Sequence, residues 1–320
     1  MKKSSISFSL VFPALLIMLS SCIYSQNHIS VRGSGRVSDR EFNVSGFNAI
    51  DVSGGFDVIL VQGNVESVTL SAEENLFDYI TVKVENGTLK IFTRNNIRTT
   101  RQMRARVYFK DLNDLKVSGG GDVTSETIIN AETLDINISG GGDFRSGINS
   151  DELKFRITGG GDADIEGKTK DYYLDISGGG DLKSNVNAGV ITCRVTGGGD
   201  LYLNDEAKTS KADIYINGGG DMDVKMDAEK IVCNISGGGD GLLRGKASDL
   251  EVTINGGGDL DASSFSTQIT SFNANGGSDL RVNASQELSG KISGGGNIYY
   301  SGNPERLNIE ARGGSKTLKE

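Results

Sequence analysis

The feature that most constrains this chain is a turn motif that returns at nearly fixed intervals. Ile-Ser-Gly-Gly-Gly-Asp at residues 138–143 is one copy. Aligned on the acidic position, the copies fall at Asp122, Asp143, Asp162, Asp181, Asp200, Asp221, Asp240, Asp259 and Asp279, with Asn297 last, at intervals of 18 to 21 residues. Self-similarity at that period marks a solenoid, in which each repeat buries its apolar side only by stacking on its neighbours.

The segments between the turns read as strands. Leu134, Ile136 and Ile138 alternate with polar Asp135 and Asn137, and Leu153, Phe155 and Ile157 alternate with Lys154 and Arg156, the period-two pattern of a half-buried strand. Ile231, Cys233 and Ile235, then Leu250, Val252 and Ile254, repeat it. A second inward column follows each acid, among it Phe144, Leu182, Leu201, Met222, Leu260 and Ile298. A third, of small residues, lies twelve positions before it at Ala131, Ala188, Ala228 and Ala247. Three inward columns per repeat predict an all-β chain wound as a β-helix, a solenoid with rungs of about 19–21 residues and equivalent positions about 4.8 Å apart. The 45 glycines, 2 prolines and absence of tryptophan suit strands punctuated by glycine turns. A β-sandwich would also alternate with period two, but it does not demand a constant turn at a constant interval.

Residues 36–116 are less regular and read as a capping region ahead of the 117–320 repeat, the two forming one continuous domain. They hold a variant turn, Ser53-Gly54-Gly55-Phe56-Asp57, a short helix over Glu73 to Tyr79, and a hairpin from Val82 to Ile91 with Asn86-Gly87 at its tip. A cap is expected, because an uncovered last rung invites edge-to-edge pairing.

Residues 1–21 read as a lipoprotein signal peptide: Lys2 and Lys3, an apolar run from Phe8 to Leu19, then Leu19-Ser20-Ser21-Cys22. The last four resemble a bacterial lipobox, which implies acylation of Cys22 and a membrane anchor, with residues 22–35 as a tether. No acidic cluster resembling a surface-export signal follows Cys22, so an outer-membrane anchor on either face is open. Without Lys2 and Lys3 the 33 basic residues fall to 31 against 42 acidic ones, a net charge of −11. Such a body repels nucleic acid.

Segments inside and outside the repeat together resemble a known family. Val44-Ser45-Gly46-Phe47, Ile50 to Val58, Glu85-Asn86-Gly87-Thr88-Leu89-Lys90-Ile91, the glycine-aspartate turns and the close Tyr299-Tyr300-Ser301-Gly302-Asn303-Pro304 are similar to the putative auto-transporter adhesin, head GIN domain, of Bacteroidota envelope proteins. The resemblance implies a right-handed β-helix in the cell envelope and defines no catalytic residue. Gly-Gly-Gly stands here where Gly-Ser-Gly is the more familiar form.

Several chemistries are excluded on residue types. The single histidine, His28, precedes the folded body, so triads and His-bearing metal sites are absent from it. Cys193 and Cys233 sit mid-strand two rungs apart, about 9.6 Å by rung spacing, too far for a disulfide. They read as buried apolar residues. No glycine turn feeds a helix N-terminus, as a phosphate loop requires.

Two candidate sites remain. Aspartates stacked about 4.8 Å apart repel by about 0.9 kcal/mol per pair at the dielectric of water and about 3.5 at an effective value of about 20. Something must offset that. Either each carboxylate accepts N–H groups of its own turn, with Ser118, Ser139, Thr158, Ser177, Thr196, Asn217, Ser236, Asn255, Asn275 and Ser293 forming a second polar ladder, or the ladder holds Ca²⁺ between rungs. The second candidate is the cluster Arg94, Arg98, Arg101, Arg104, Arg106 and Lys110, which would meet anionic envelope ligands or merely guard an edge. The preferred reading is a non-catalytic envelope lipoprotein, adhesin-like or structural, with glycans or other envelope components as partners. The alternatives are a carbohydrate-active β-helix enzyme, betrayed by clustered carboxylates off the repeat register, and a calcium-stabilised surface repeat protein.

Overall fold

The structure, a computed structural model, describes residues 30–99 and 101–320. The signal segment, Cys22, His28 and most of the tether lie outside the described residues. Parallel coils stack into a β-solenoid of about eleven turns. Each coil enters its turn through one side, exemplified by Thr133–Gly140, and leaves through a second, exemplified by Phe144–Asn149. Farther along, strands of 15 to 18 residues, from Ala163–Gly178 to Leu280–Gly294, run round three sides without a break.

Register is kept column by column. Leu134 lies beside Leu153, Ile136 beside Phe155 and Ile138 beside Ile157, and all six are buried. The ring of Phe144 meets that of Phe155 at 5.0 Å between centroids, tilted by 52°, joining the two sides across the core. On the third side the inward column is made of Thr and Ala: Thr169 lies beside Ala188, Thr209 beside Ala228, Ala228 beside Ala247, and Ala247 beside Thr267. Small residues fit there because this short side closes the core.

The start of the chain is wound out of order. Ala49–Ser53 and Phe56–Gln62 form a coil that has neighbours on both faces. Asp114–Gly119 and Val123–Ser125 stack on one face, and Thr88–Thr93 and Met103–Phe109 stack on the other. Chain that comes later in sequence therefore lies outside the first coil.

Beyond those strands the parallel stack ends in antiparallel pairs. Ile80–Glu85 closes on Thr88–Thr93, while Ser67–Glu73 and then Val37–Phe42 extend from Met103–Phe109. The change of direction closes the solenoid's end to further parallel coils. The expected hairpin is present, with Asn86 at φ 52° and Gly87 at φ 74°, the paired positive values of a type I′ turn. The expected short helix is a 3₁₀ segment, Glu74–Tyr79, whose Leu76 and Phe77 plug the core. At the far end Arg306–Arg312 and Lys316–Lys319 add a last, largely exposed coil.

Candidate functional site

The acidic ladder is built at the corner between the first two sides. There the backbone must bend, and three glycines let it. The first takes positive φ in every repeat turn, as at Gly178 (132°) and Gly197 (124°). The third is required by proximity: a Cβ on Gly180 would lie 2.1 Å from the carbonyl oxygen of Gly161, whereas one on Gly179 would meet nothing within 4 Å. In this turn only the middle position has open space for a side chain, although Ser278 stands at the third place of its own turn.

The bend leaves one N–H per rung without a backbone partner, and the aspartate supplies it. The N–H of Asp200 donates to Oδ1 of Asp181 at 2.9 Å, that of Asp221 to Asp200 at 2.9 Å and that of Asp240 to Asp221 at 2.8 Å. The carboxylate thus accepts from the following rung, not from its own turn as the sequence reading expected. Stacking brings the next rung's N–H to the carboxylate, and no amount of local turn geometry reveals it. Each charge-assisted bond offsets part of the repulsion between neighbouring acids. Asn297 ends the series by donating its backbone N–H at 2.8 Å and its Nδ2 at 3.1 Å to Asp279.

The ladder also starts earlier than the repeat count suggests. Asp122 donates its N–H to Oδ1 of Asp57 at 3.2 Å, which makes Ser53-Gly54-Gly55-Phe56-Asp57 a full member. Phe56 stands at the third glycine's position because the coil beside it places Met103 there and no glycine turn. Asp57, Asp122, Asp143, Asp162, Asp181, Asp200, Asp221, Asp240, Asp259 and Asp279 therefore form one column. Among the described residues no three Asp, Glu, His or Cys side chains gather closely enough to hold a metal ion. The neighbouring Ser/Thr/Asn column is in register, and at its end Ser293 donates to Asn275 at 2.6 Å and Asn275 to Asn255 at 3.3 Å.

The arginine cluster is spread over several elements. Arg104 and Arg106 share the outer face of Met103–Phe109, Arg98 lies on Asn96–Arg98, Arg94 bonds Thr81 at 2.8 Å, and Arg101 precedes the strand. Arg106 is committed to a two-pronged pair with Glu126, both contacts at 2.6 Å. That pair draws the Glu126 carboxyl below its ordinary pKa, through the hydrogen bond from Arg106.

Cys193 and Cys233 are free, fully buried thiols separated in register by Ile214. Burial pushes both up to about 12.

Several depressions mark the surface. One, of about 610 Å³, lies over the third side and is lined by Asp111, Glu132, Asp151, Lys168 and Lys170, among others. Its acids recur at the repeat interval as one corner column, which Lys170 continues while pairing with Asp151 at 2.7 Å. These carboxylates are thus on the repeat register, not off it. Two smaller depressions, about 290 and 210 Å³, lie beside the acidic ladder and meet at Lys183 and Tyr202. Tyr202 is 47% exposed. The carboxylate of Asp200, with Asp181, Asp223 and Asp221 around it, holds its phenol above the ordinary value. Periodicity could not single Tyr202 out, since it is one outward residue in a column of mixed polar types.

Coils stacked in register and a corner sealed by inter-rung carboxylates define a repeat-built β-solenoid. The chain belongs to the family described as putative auto-transporter adhesin, head GIN domain, whose model matches residues 46–215 and 203–304. Among solved structures it is similar to an adhesin described as putative from Parabacteroides merdae, with 16% identity, 91% of this chain and 99% of that one covered, and a TM-score of 0.41. A second such adhesin, from Parabacteroides distasonis, has 21% identity, 90% and 100% coverage and a TM-score of 0.42. A protein of the same organism described as a putative lipid binding protein has 20% identity, 90% and 99% coverage and a TM-score of 0.40. No curated protein matches the chain.

Proposed function

We propose that this protein is a lipid-anchored, non-catalytic binding module of the cell envelope, adhesin-like in role, carried on an outer membrane through Cys22. The observation that carries the reading is the commitment of the repeated acids to inter-rung hydrogen bonds. Residues spent on holding coils together are scaffold, and what they build is a long, rigid body with flat outer faces, suited to presenting a surface to a partner. Membership of an adhesin-described family supports a binding role. The apolar run ending in Leu19-Ser20-Ser21-Cys22 supports export and acylation. More than one acyl chain would hold such a body firmly on a bilayer.

Metabolic labelling with an alkyne fatty acid tests the anchor. The wild-type chain takes up label and sediments with membranes, while Cys22→Ala stays unlabelled and soluble. Cells lacking the protein should adhere less to a glycan-coated surface than cells carrying it. An unlabelled wild-type chain, or adhesion indifferent to its presence, overturns the corresponding half of the reading.

A further inference from the structure

Three outward tyrosines of the repeat coils share an arrangement that Tyr202 lacks. Tyr173 lies in register with Lys154, Tyr215 with Arg194 and Tyr299 with Arg281, each cation coming from the preceding coil. In all three the cation covers the ring, at 5.9, 5.6 and 4.7 Å from its centroid. Tyr202 has the same neighbour in the same place, Lys183. Yet Lys183 reaches the other way, toward Asp164 at 4.0 Å. Among the described residues no cation stacks on Tyr202, and its exposed ring stands between two depressions.

The surroundings specify what would cover that ring. Five aspartates and four lysines or arginines line the two depressions together, so their charges nearly cancel and neither a polyanion nor a polycation is favoured. The side chains at hand are planar and polar: Arg145 and Asp164 on one side, Asn204, Asp223 and Arg244 on the other. Such groups bond pairs of adjacent hydroxyls, and an aromatic face takes the apolar side of a sugar ring. Asn204 adds a second pointer: its Nδ2 reaches only a long bond to Asn185 at 3.4 Å and its buried Oδ1 has no hydrogen-bond partner, so a turn of the amide toward the depression would offer a ligand hydroxyl an unused acceptor. From the coil of Asp143 to that of Arg244 the strip spans five coil steps, about 24 Å, the scale of a short oligosaccharide.

We propose that Tyr202 and its two flanking depressions form a binding site for a neutral oligosaccharide, with the Tyr202 ring as the stacking platform; this rests on the binding-module reading above and names its site and ligand class. The test uses the full chain in detergent micelles, screened against neutral glucan, mannan and galactan oligosaccharides, with acidic oligosaccharides alongside. Wild type should bind at least one neutral member. Tyr202→Ala should weaken that binding about tenfold or more, while Tyr173→Ala, whose ring is already covered, should change it less than twofold. Because the chain has no tryptophan, Tyr202→Trp places a single, selectively excitable tryptophan at the platform, and its emission should shift as the sugar is added. Circular dichroism melts establish that the variants fold. No neutral sugar bound by wild type, binding confined to acidic sugars, or Tyr202→Ala binding as wild type does would each overturn the site. Loss of the site with adhesion of cells intact would leave the binding-module reading standing, which separates the two failures.

Discussion

The N–H of Asp122 donates to the carboxylate of Asp57 across 65 residues of sequence, at 3.2 Å. Every other link in the ladder spans 18 to 21 residues, as Asp162 to Asp143 spans 19. The long link has the same geometry as the short ones, which identifies the acid as a structural element of the corner wherever two coils meet.

If the carboxylate serves as an acceptor, the charge is dispensable and the oxygen is not. Asp181→Asn keeps an acceptor for the N–H of Asp200 and removes one repulsive neighbour, so stability should change by less than about 0.5 kcal/mol. Asp181→Ala leaves that N–H unpaired and should cost about 1–3 kcal/mol. Urea unfolding measures both. On the same grounds millimolar Ca²⁺ should leave the melting temperature where EDTA leaves it. A rise of several degrees would show that the ladder holds cations.

The three glycines of a turn should differ sharply. Gly179→Ala meets open space and should lie within about 0.5 kcal/mol of wild type. Gly180→Ala drives a methyl against the carbonyl of Gly161 at 2.1 Å and should cost several times as much, because two backbones must part. Equal melting temperatures for the two variants would refute the close-approach argument.

Ser278 occupies the third glycine's place in its turn, 1% exposed, and its hydroxyl has no hydrogen-bond partner. An unpaired buried hydroxyl costs about 1–3 kcal/mol. The extra freedom a glycine gives the unfolded chain costs about 0.4–1 kcal/mol. The first term is larger, so Ser278→Gly should raise stability by about 1 kcal/mol. A lower melting temperature would mean the hydroxyl has found a partner.

Cys193 and Cys233 ionise near 9.0 when exposed and are pushed up to about 12 in the fold. Buried Tyr172 shifts in the same direction, chiefly through burial. Groups whose pKa is raised on folding contribute stability that is full below the unfolded value and is lost as pH rises toward the folded one. Stability should therefore decline from about pH 9 upward, and Cys193→Ala with Cys233→Ala should flatten the decline. In Cys22→Ala a thiol reagent should find no reactive group at pH 8 until denaturant is added, and then two.

The periodic body was legible in the sequence for a physical reason. Ile136, Phe155 and Leu174 must all face inward at each coil, so burial stamps a period of two inside a period of about nineteen. Asp57 escaped the repeat count because the capping strands are inserted between it and Asp122, which erases the spacing while preserving the turn. The acceptor role of the acids was half legible. Glycine and aspartate announce a corner, but which N–H arrives depends on stacking between coils. Tyr202 was not legible at all, since its bare ring follows from Lys183 choosing Asp164 over the tyrosine, a competition settled only when three coils stand side by side.

The out-of-order first coil bears on how the chain assembles. Strands Thr88–Thr93 and Met103–Phe109 fold back onto one face of the first coil, and Asp114–Gly119 settles on the other. Closing the 65-residue loop at Asp57 costs about 1 kcal/mol more than closing a nineteen-residue one, and later coils never face that cost again. A chain threaded across a membrane from its N-terminus would thus meet its hardest step first, and each repeat emerging afterwards would find a finished edge to zip onto.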